Sequence, residues 1–158
     1  MQTITPCLWF NDNAEAAVAF YLSVFPNSRI VTTTRYTEAG PGPAGSVLTV
    51  EFELDGQRFV ALNGGPRFKF TEATSFIVNC ETQDELDRMW DKLLQGRGRA
   101  DQCGWLKDKF GLSWQVVPTI LPTLLQDKDP EKSRRVMEAI LKMVKLDIRA
   151  LVDAHAHA

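Results

Sequence analysis

The sequence predicts an α+β fold made of two βαβββ modules followed by C-terminal helices. Two observations support this prediction. A strand-then-helix pattern begins near the N-terminus and again near residue 74, and the apolar positions of the two helices are separated by the same 69 residues. In addition, Asp55-Gly56 and the turn at 108–111 each separate two strand-like segments, which is typical of antiparallel hairpins. A duplicated module explains both observations.

Composition limits the classes of function. The chain has 158 residues, of which 44% are hydrophobic and 24% are charged, so it can bury the core of a globular domain. Its net charge of −2 gives no bulk attraction to nucleic acid, and no apolar run approaches the ~20 residues that span a membrane. The N-terminus lacks a secretory pattern, and Cys7, Cys80 and Cys103 cannot all pair within the chain. We therefore expect a reduced, cytoplasmic protein.

The first module opens with a strand and a helix. An apolar strand runs from Ile4 to Phe10, and Asn11-Asp12-Asn13 predicts a helix cap. One face of the helix is apolar at the i, i+3, i+4, i+7, i+8 spacing, at Ala17, Phe20, Tyr21, Val24 and Phe25. Pro26-Asn27 ends this helix, and a β-branched second strand runs from Arg29 to Tyr36.

A loop and a hairpin complete the first module. The Gly/Pro-rich stretch at 40–45 cannot form a helix or a sheet ladder. The next strand is expected to bury one face, because apolar residues alternate with polar ones at Leu48, Val50, Phe52 and Leu54. Asp55-Gly56 then leads into a return strand, Gln57 to Leu62, which ends in Asn63-Gly64-Gly65-Pro66.

The second module repeats this order. A strand from Thr74 to Cys80 precedes the capping box Thr82-Gln83-Asp84-Glu85. The helix that follows is apolar at the matching positions Leu86, Met89, Trp90, Leu93 and Leu94. Strands are also predicted at Trp105 to Lys107 and at Leu112 to Val117. The strand expected between Arg97 and Cys103 has poor β propensity and is placed by analogy with the first module.

The tail has a different character. We expect one paired-module domain over residues 1–118, with modules at about 1–66 and 73–118, and a helical extension over 119–158. Asp129-Pro130-Glu131 predicts a capped helix whose apolar face comprises Val136, Met137, Ile140, Leu141 and Val144. Such a helix packs on its own domain or on a partner subunit. Residues 154–158 are typical of a frayed end.

Five segments carry a family resemblance. They are TPCLWFN at 5–11, AFY at 19–21, FPNS at 25–28, ALNGGP at 61–66 and GWLKDKFGLSWQ at 104–115. They resemble the PhnB-like subfamily of the vicinal oxygen chelate superfamily, which has the glyoxalase/bleomycin resistance/dioxygenase fold. This subfamily is often labelled 3-demethylubiquinone 3-methyltransferase-like. The resemblance covers residues 1–118, and the tail is similar to C-terminal extensions in the subfamily.

The resemblance implies a curled mixed sheet, contributed by both modules, around a small-molecule cavity. It also implies that metal-dependent relatives carry ligands on the first and last strand of each module. In this sequence those positions are Pro6 (or Thr5), Val60, Ser75 and Gln115. None of them is His, Asp or Glu, so we predict no bound metal and no other cofactor.

Three other pairs of residues carry side chains capable of chemistry. Glu51 and Glu53 alternate with apolar residues and are expected to face solvent or a subunit. Cys7 and Cys80 lie on corresponding first strands, where buried, inert thiols are expected. Lys107 and Asp108 flank a turn, where a solvent-exposed ion pair is expected.

Eight residues are candidates for the ligand cavity: Trp9, Asn63, Phe68, Phe70, Ser75, Trp105, Trp114 and Gln115. The tryptophans suit a flat organic ligand, although each fits a plain core position equally well. Gln115 suits a hydrogen bond to a ligand or to neighbouring backbone. For Asn63 and the glycines after it, a turn that requires positive φ is favoured over a ligand contact. Phe68 and Phe70 would close a pocket or pack at a dimer interface.

The expected function is metal-free binding of a flat organic or aromatic small molecule by a homodimer. One alternative is an enzyme of the 3-demethylubiquinone 3-methyltransferase-like type. Asn63-Gly64-Gly65-Pro66 does not favour it, because this segment follows a hairpin strand and precedes a loop, unlike the strand-to-helix turn of nucleotide sites. The other alternative is sequestration of a drug or toxin without turnover. Whether the protein is an enzyme is left open by the sequence.

Overall fold

The computed structural model describes residues 2–158, and the chain divides into two compact units, one ending at Phe70 and the other running from Thr71 to Ala158. The first unit contains β1 (Cys7–Phe10), α1 (Ala14–Val24), β2 (Ser28–Arg35), β3 (Val47–Leu54) and β4 (Gln57–Asn63). The second contains β5 (Ser75–Cys80), α2 (Gln83–Leu94), β6 (Arg99–Ala100), β7 (Trp105–Lys107) and β8 (Ser113–Pro118). It continues with α3 (Leu121–Leu125), α4 (Pro130–Leu141) and α5 (Ile148–Ala156). The predicted α+β fold with two βαβββ modules is confirmed.

The two sheets have the same topology. Their strand orders are β1-β4-β3-β2 and β5-β8-β7-β6. In each sheet the first strand of the module pairs in parallel with the last, and the other pairs are antiparallel. The duplication that is visible in the sequence is therefore also present in the strand order and hydrogen-bonded pairing of the two sheets. The short β6 agrees with the poor β propensity of its segment.

The matched apolar positions form the helix side of each core. Four of the five pairs, beginning with Ala17 and Leu86, are buried in both helices. The fifth pair differs, since Phe25 is the buried C-cap residue of α1 whereas Leu94 is half-buried. On the first sheet Phe52 is fully buried and stacks on Tyr21 of α1, with ring centroids 6.4 Å apart.

The two module helices are capped differently. Thr82 accepts a hydrogen bond from the Glu85 N–H at 3.1 Å, which confirms the predicted cap of α2. At α1 the predicted cap segment does supply the N-cap residue, Asn13, but the Asn13 side chain makes no capping bond. The Asn63 side-chain oxygen, at the end of β4, instead accepts from the Ala14 N–H at 2.9 Å. A long-range contact thus replaces the local one.

The C-terminal helices pack within the second unit. Leu146 and Leu151 are buried. The Gln83 side chain donates to the Leu146 carbonyl at 3.1 Å and accepts from the Ile148 N–H at 2.8 Å. The Cys103 N–H donates to the Met143 carbonyl at 2.8 Å. Of the two arrangements left open for the tail, packing on its own domain is therefore the one found.

Two predictions for the tail are corrected. The expected frayed end is helical to Ala156, and it is held by Arg135, which donates to the carbonyls of Ala154 and His155. The predicted amphipathic helix ends at Leu141, so Val144 lies beyond it. Among residues 2–158, no helix combines the length and apolar character needed to cross a membrane.

Candidate functional site

Tyr36 organises the Gly/Pro-rich loop in the first unit. Its hydroxyl donates to the Asn63 carbonyl at 2.6 Å. A Cβ added at Gly40 or Gly42 would lie 2.8 Å or 2.5 Å from the Tyr36 ring. Side chains at these two positions would therefore collide with the ring, so the loop needs glycine in order to wrap around it.

A cavity of about 460 Å³ lies beside Tyr36. Its lining combines aromatic and aliphatic side chains with a few polar groups, among them Trp9, Leu48, Leu62, Thr34, Arg35 and Tyr36. Leu48 was predicted to be a core residue but is only half-buried, and it lines this cavity. This composition suits a small organic molecule with an apolar body.

Trp9 is held rigidly at the wall of this cavity. Its indole N–H donates to the Gly65 carbonyl at 2.9 Å. Phe68 makes an edge contact with the indole, with ring centroids 4.9 Å apart. A Cβ at Gly64 would lie 2.4 Å from the indole, so the backbone of this glycine also packs against the ring. Trp9, Phe68 and the two glycines are thus brought together.

A second cavity, of about 340 Å³, shares Tyr36, Pro41 and Gly64 with the first. Asn63 lines it, together with Asp12 and Glu15 near the start of α1. The hydrogen bonds of Asn63 are nevertheless made to the protein, since it caps α1 and its amide donates to Glu15 at 2.7 Å and to the Val47 carbonyl at 3.0 Å. The positive φ of the turn falls on Gly65.

The two loop phenylalanines have different surroundings. Phe68 is 55% exposed and contacts Trp9 by its edge. Phe70 packs edge-on against Phe10, with ring centroids 5.3 Å apart. Neither lines the two cavities described above, so Phe68 acts on the site by supporting Trp9.

Three other sequence candidates lie on one face of the second sheet. Trp105 and Ile77 both pair with Gln115, and the Gln115 side chain donates to the Ser75 hydroxyl at 3.0 Å. Ser75 lies two residues before Ile77, and side chains two positions apart in a strand share a face. Ser75, Gln115 and Trp105 therefore lie on the same side of this sheet. Trp114, between Ser113 and Gln115, points to the opposite side.

Trp114 is a core residue. It is 4% exposed, and its indole N–H donates to the Asp108 carboxylate at 2.9 Å. The expected exposed ion pair between Lys107 and Asp108 is wrong, because Asp108 is 3% exposed and Lys107 pairs with Glu72. This ion pair lowers the pKa of the Glu72 carboxyl.

The cysteines differ from one another. Burial of Cys80 raises the pKa of its thiol to about 11, and the charge of Glu85 adds to the shift. Cys7 is exposed rather than buried as expected, although partial burial of its thiol raises the pKa. Both shifts favour the protonated, unreactive form at neutral pH.

The acidic residues of β3 take part in ion pairs. Glu53 lies 3.0 Å from Arg29 and 3.2 Å from Arg58, and its hydrogen bonds to Arg58 and then Arg29 lower its pKa. Glu51 lies 3.9 Å from Arg58. Both carboxylates are therefore engaged with arginine.

The four metal positions implied by the family resemblance do not fit a divalent ion. The Val60 N–H donates to the Pro6 carbonyl at 2.9 Å, and neither side chain has a donor atom for a metal. The amide of Gln115 is turned toward the Ser75 hydroxyl. Within residues 2–158 there is no group of three or more His, Cys, Asp or Glu side chains that could hold a metal. One amide and one hydroxyl, or two hydroxyls if Thr5 takes the place of Pro6, are a poor ligand set.

Sequence reasoning missed several of these residues. The sequence predicts Tyr36 only as the end of a strand and Leu62 only as part of the return strand after Asp55-Gly56, and it predicts no role for Thr34. Only Tyr36 had a usable signal, since it precedes a glycine-rich loop that can pack against an aromatic ring. The others depend on strand pairing, which periodicity does not define.

Comparison with known proteins identifies the family. Residues 2–117 match the model of the family described as 3-demethylubiquinone-9 3-methyltransferase. A PhnB protein from Bacillus cereus, described as a candidate 3-demethylubiquinone-9 3-methyltransferase, is 40% identical with a TM-score of 0.67; the match covers 75% of this chain and 100% of that chain. No curated protein matches this chain.

Two more distant structures share the fold alone. Protein PA1353 from Pseudomonas aeruginosa is 19% identical with a TM-score of 0.61, over 75% of this chain and 98% of that chain. The fosfomycin resistance protein FosX from Listeria monocytogenes, in complex with Mn(II) and sulfate, is 12% identical with a TM-score of 0.53, over 78% and 97%. The chain therefore belongs to the PhnB-like, 3-demethylubiquinone-9 3-methyltransferase family of the vicinal oxygen chelate superfamily.

Proposed function

We propose that the protein binds a flat, largely apolar organic molecule against Trp9, without a bound metal. The observation that carries this proposal is the fixed indole at the wall of the 460 Å³ cavity. Leu48 and Leu62 add aliphatic surface, and Thr34 and Tyr36 bring hydroxyl groups to the same lining. A preformed aromatic wall loses little conformational entropy when a flat ligand stacks on it.

Metal independence rests on the side chains at the family positions. Pro6 and Val60 offer no side-chain donor, and Gln115 is already bonded to Ser75. Binding at Trp9 would therefore depend on burial and stacking rather than on coordination. This separates the proposal from the Mn(II) complex of FosX, which shares the fold at low identity.

The test is calorimetric titration of the full chain with 2-naphthol, a flat probe that carries one hydroxyl. Trp9→Ala removes the wall and is expected to weaken binding by about tenfold or more. Met137→Ala, an exposed apolar residue on α4, is the control and should bind as the wild type does. Equal affinity of wild type and Trp9→Ala would contradict the proposal, as would the absence of binding.

A methyltransferase activity is the second candidate, because the family description and the 40% identical relative both carry that label. Asn63 is the last residue of β4, and Gly64-Gly65-Pro66 leads from it into a loop rather than a helix, which does not favour a nucleotide-like donor site here. S-adenosylmethionine at a hundred times its dissociation constant would stabilise the protein by about 2.7 kcal/mol. An increase in Tm that corresponds to this stabilisation, together with methyl transfer to a phenolic probe, would support this activity over simple binding. Recovery of an unmodified ligand would instead support sequestration.

We further propose a homodimer located in the cytoplasm. Exposed apolar side chains such as Ile30, Leu141 and Val144 support the first part, since they offer surface for a second copy. The second part is supported by the absence of disulfides among Cys7, Cys80 and Cys103. Light scattering that gave the mass of a single chain would contradict the dimer.

A further inference from the structure

Three polar side chains form a row across the second sheet. Ser113 on β8 pairs with Ser75 on β5 and with Lys107 on β7. Directly paired residues project to the same face, with Cβ atoms about 5 Å apart. The row therefore places two hydroxyl groups and one ammonium group on one face of this sheet.

The central member of the row is an unusual buried group. Ser113 is 1% exposed, and its hydroxyl is the one buried side-chain polar atom without a hydrogen-bond partner within residues 2–158. Burying an unpaired hydroxyl is unfavourable, so such groups are rare in folded proteins. A partner from outside the chain would remove this cost.

The neighbours of Ser113 are arranged to donate hydrogen bonds. The Ser75 oxygen accepts from the Gln115 amide at 3.0 Å, which leaves its own proton directed elsewhere. Lys107 pairs with the exposed Glu72, but an ammonium group has three N–H donors and one pair does not use them all. With Ser113, the row offers several donors to a single acceptor group.

We propose that this row binds the carboxylate of a small organic acid. The two oxygens of a carboxylate would accept from the hydroxyls of Ser113 and Ser75, and Lys107 would balance its charge. Trp105 pairs with Gln115, which is two residues along β8 from Ser113, and it gives the organic part of the ligand an aromatic surface. The proposal concerns the second unit and different side chains, so it does not depend on binding at Trp9.

The test compares benzoate with benzamide, its neutral analogue, by calorimetry and by amide chemical shifts of the full chain. Benzoate is expected to bind and to shift the amides of Ser113 and Lys107, and benzamide to bind at least tenfold more weakly. Ser113→Ala should reduce benzoate affinity about tenfold without loss of stability, because the deleted hydroxyl has no partner. Lys107→Gln should reduce it as well.

The matched control is Ser133→Ala, which removes an exposed hydroxyl that donates to the Pro130 carbonyl on α4. It should leave benzoate binding unchanged. No saturable binding up to about 10 mM benzoate, or unchanged affinity in Ser113→Ala, would overturn the proposal. Trp9→Ala should keep benzoate binding, so failure of the 2-naphthol test and failure of this one are separate results.

Discussion

The carboxylate of Asp108 lies 2.9 Å from the indole nitrogen of Trp114 and accepts its N–H in the core of the second unit. Its other oxygen accepts from the backbone N–H groups of Phe110 and Leu112, at 2.8 Å and 3.1 Å. One buried carboxylate thus satisfies three donors and closes the turn between β7 and β8. The conspicuous acidic residue of the family-like GWLKDKFGLSWQ segment therefore has a structural role.

Asp108→Ala is expected to lower the free energy of unfolding by about 3 kcal/mol or more, because it leaves buried donors unpaired. Asp108→Asn should cost less, about 1–2 kcal/mol, since an amide oxygen replaces part of the acceptor capacity. Urea denaturation measures both values. Asp91→Asn, on the exposed side of α2, is the control and should change stability little. A loss no larger than that of the control would show that the Asp108 network contributes little.

Gly64→Ala is expected to weaken 2-naphthol binding by about tenfold, because the new methyl group would displace the Trp9 indole. Gly56→Ala is the matched control. Its backbone has φ +81°, so alanine is strained there, but the added Cβ meets nothing within 4 Å. Both variants should lose stability, and only Gly64→Ala should lose affinity. Parallel losses of affinity in calorimetric titrations would contradict the placement of the ligand on Trp9.

Tyr36→Phe removes the hydroxyl that donates to the Asn63 carbonyl and keeps the ring between Gly40 and Gly42. We expect a loss of about 1 kcal/mol and faster proteolytic cleavage within the loop 37–45. Limited proteolysis followed by mass spectrometry locates the cut. Cleavage confined to other loops, at an unchanged rate, would show that the hydroxyl does not anchor this segment.

Asp127 predicts a pH dependence of the C-terminal helices. The backbone N–H of Asp129 and then the His155 side chain lower the pKa of the Asp127 carboxyl, which lies 2.8 Å from His155. Because the pKa is lower in the folded state, this stabilisation is present above the unfolded value of about 3.9 and is lost as the pH falls through the folded value. Asp127→Asn should therefore lower Tm at pH 7 and have a smaller effect near pH 3. An equal Tm difference at both pH values would contradict this assignment.

The fold was predictable because its determinants are local or repeated. The 69-residue register places Ala17 and Leu86 at equivalent buried positions, and the strand order of the two sheets repeats in the same way. Asn63 shows the limit of local reasoning, because it caps α1 from a strand 49 residues away in sequence. α3 and α5 are not predicted either, because both are short and pack mainly on α4, a tertiary contact that sequence periodicity does not show.

The candidate site was only partly predictable. Trp9 was identified as an aromatic strand residue, but its fixation depends on Gly64 and Phe68, which strand pairing and the following loop bring to it. Trp114 has the same chemistry in the sequence and lies on the opposite, buried face of its sheet. A shift of one residue along a strand moves a side chain from one face of the sheet to the other, and composition does not encode that register.

Metal-independent binding against Trp9 is tested most directly by titrating 2-naphthol into protein dialysed against a chelator, with metal content measured on the same sample. The account predicts saturable binding to the metal-free protein, with an affinity that added Mn(II) does not change and that Trp9→Ala weakens by about tenfold or more. Binding that disappears on chelation and returns with Mn(II) would contradict it.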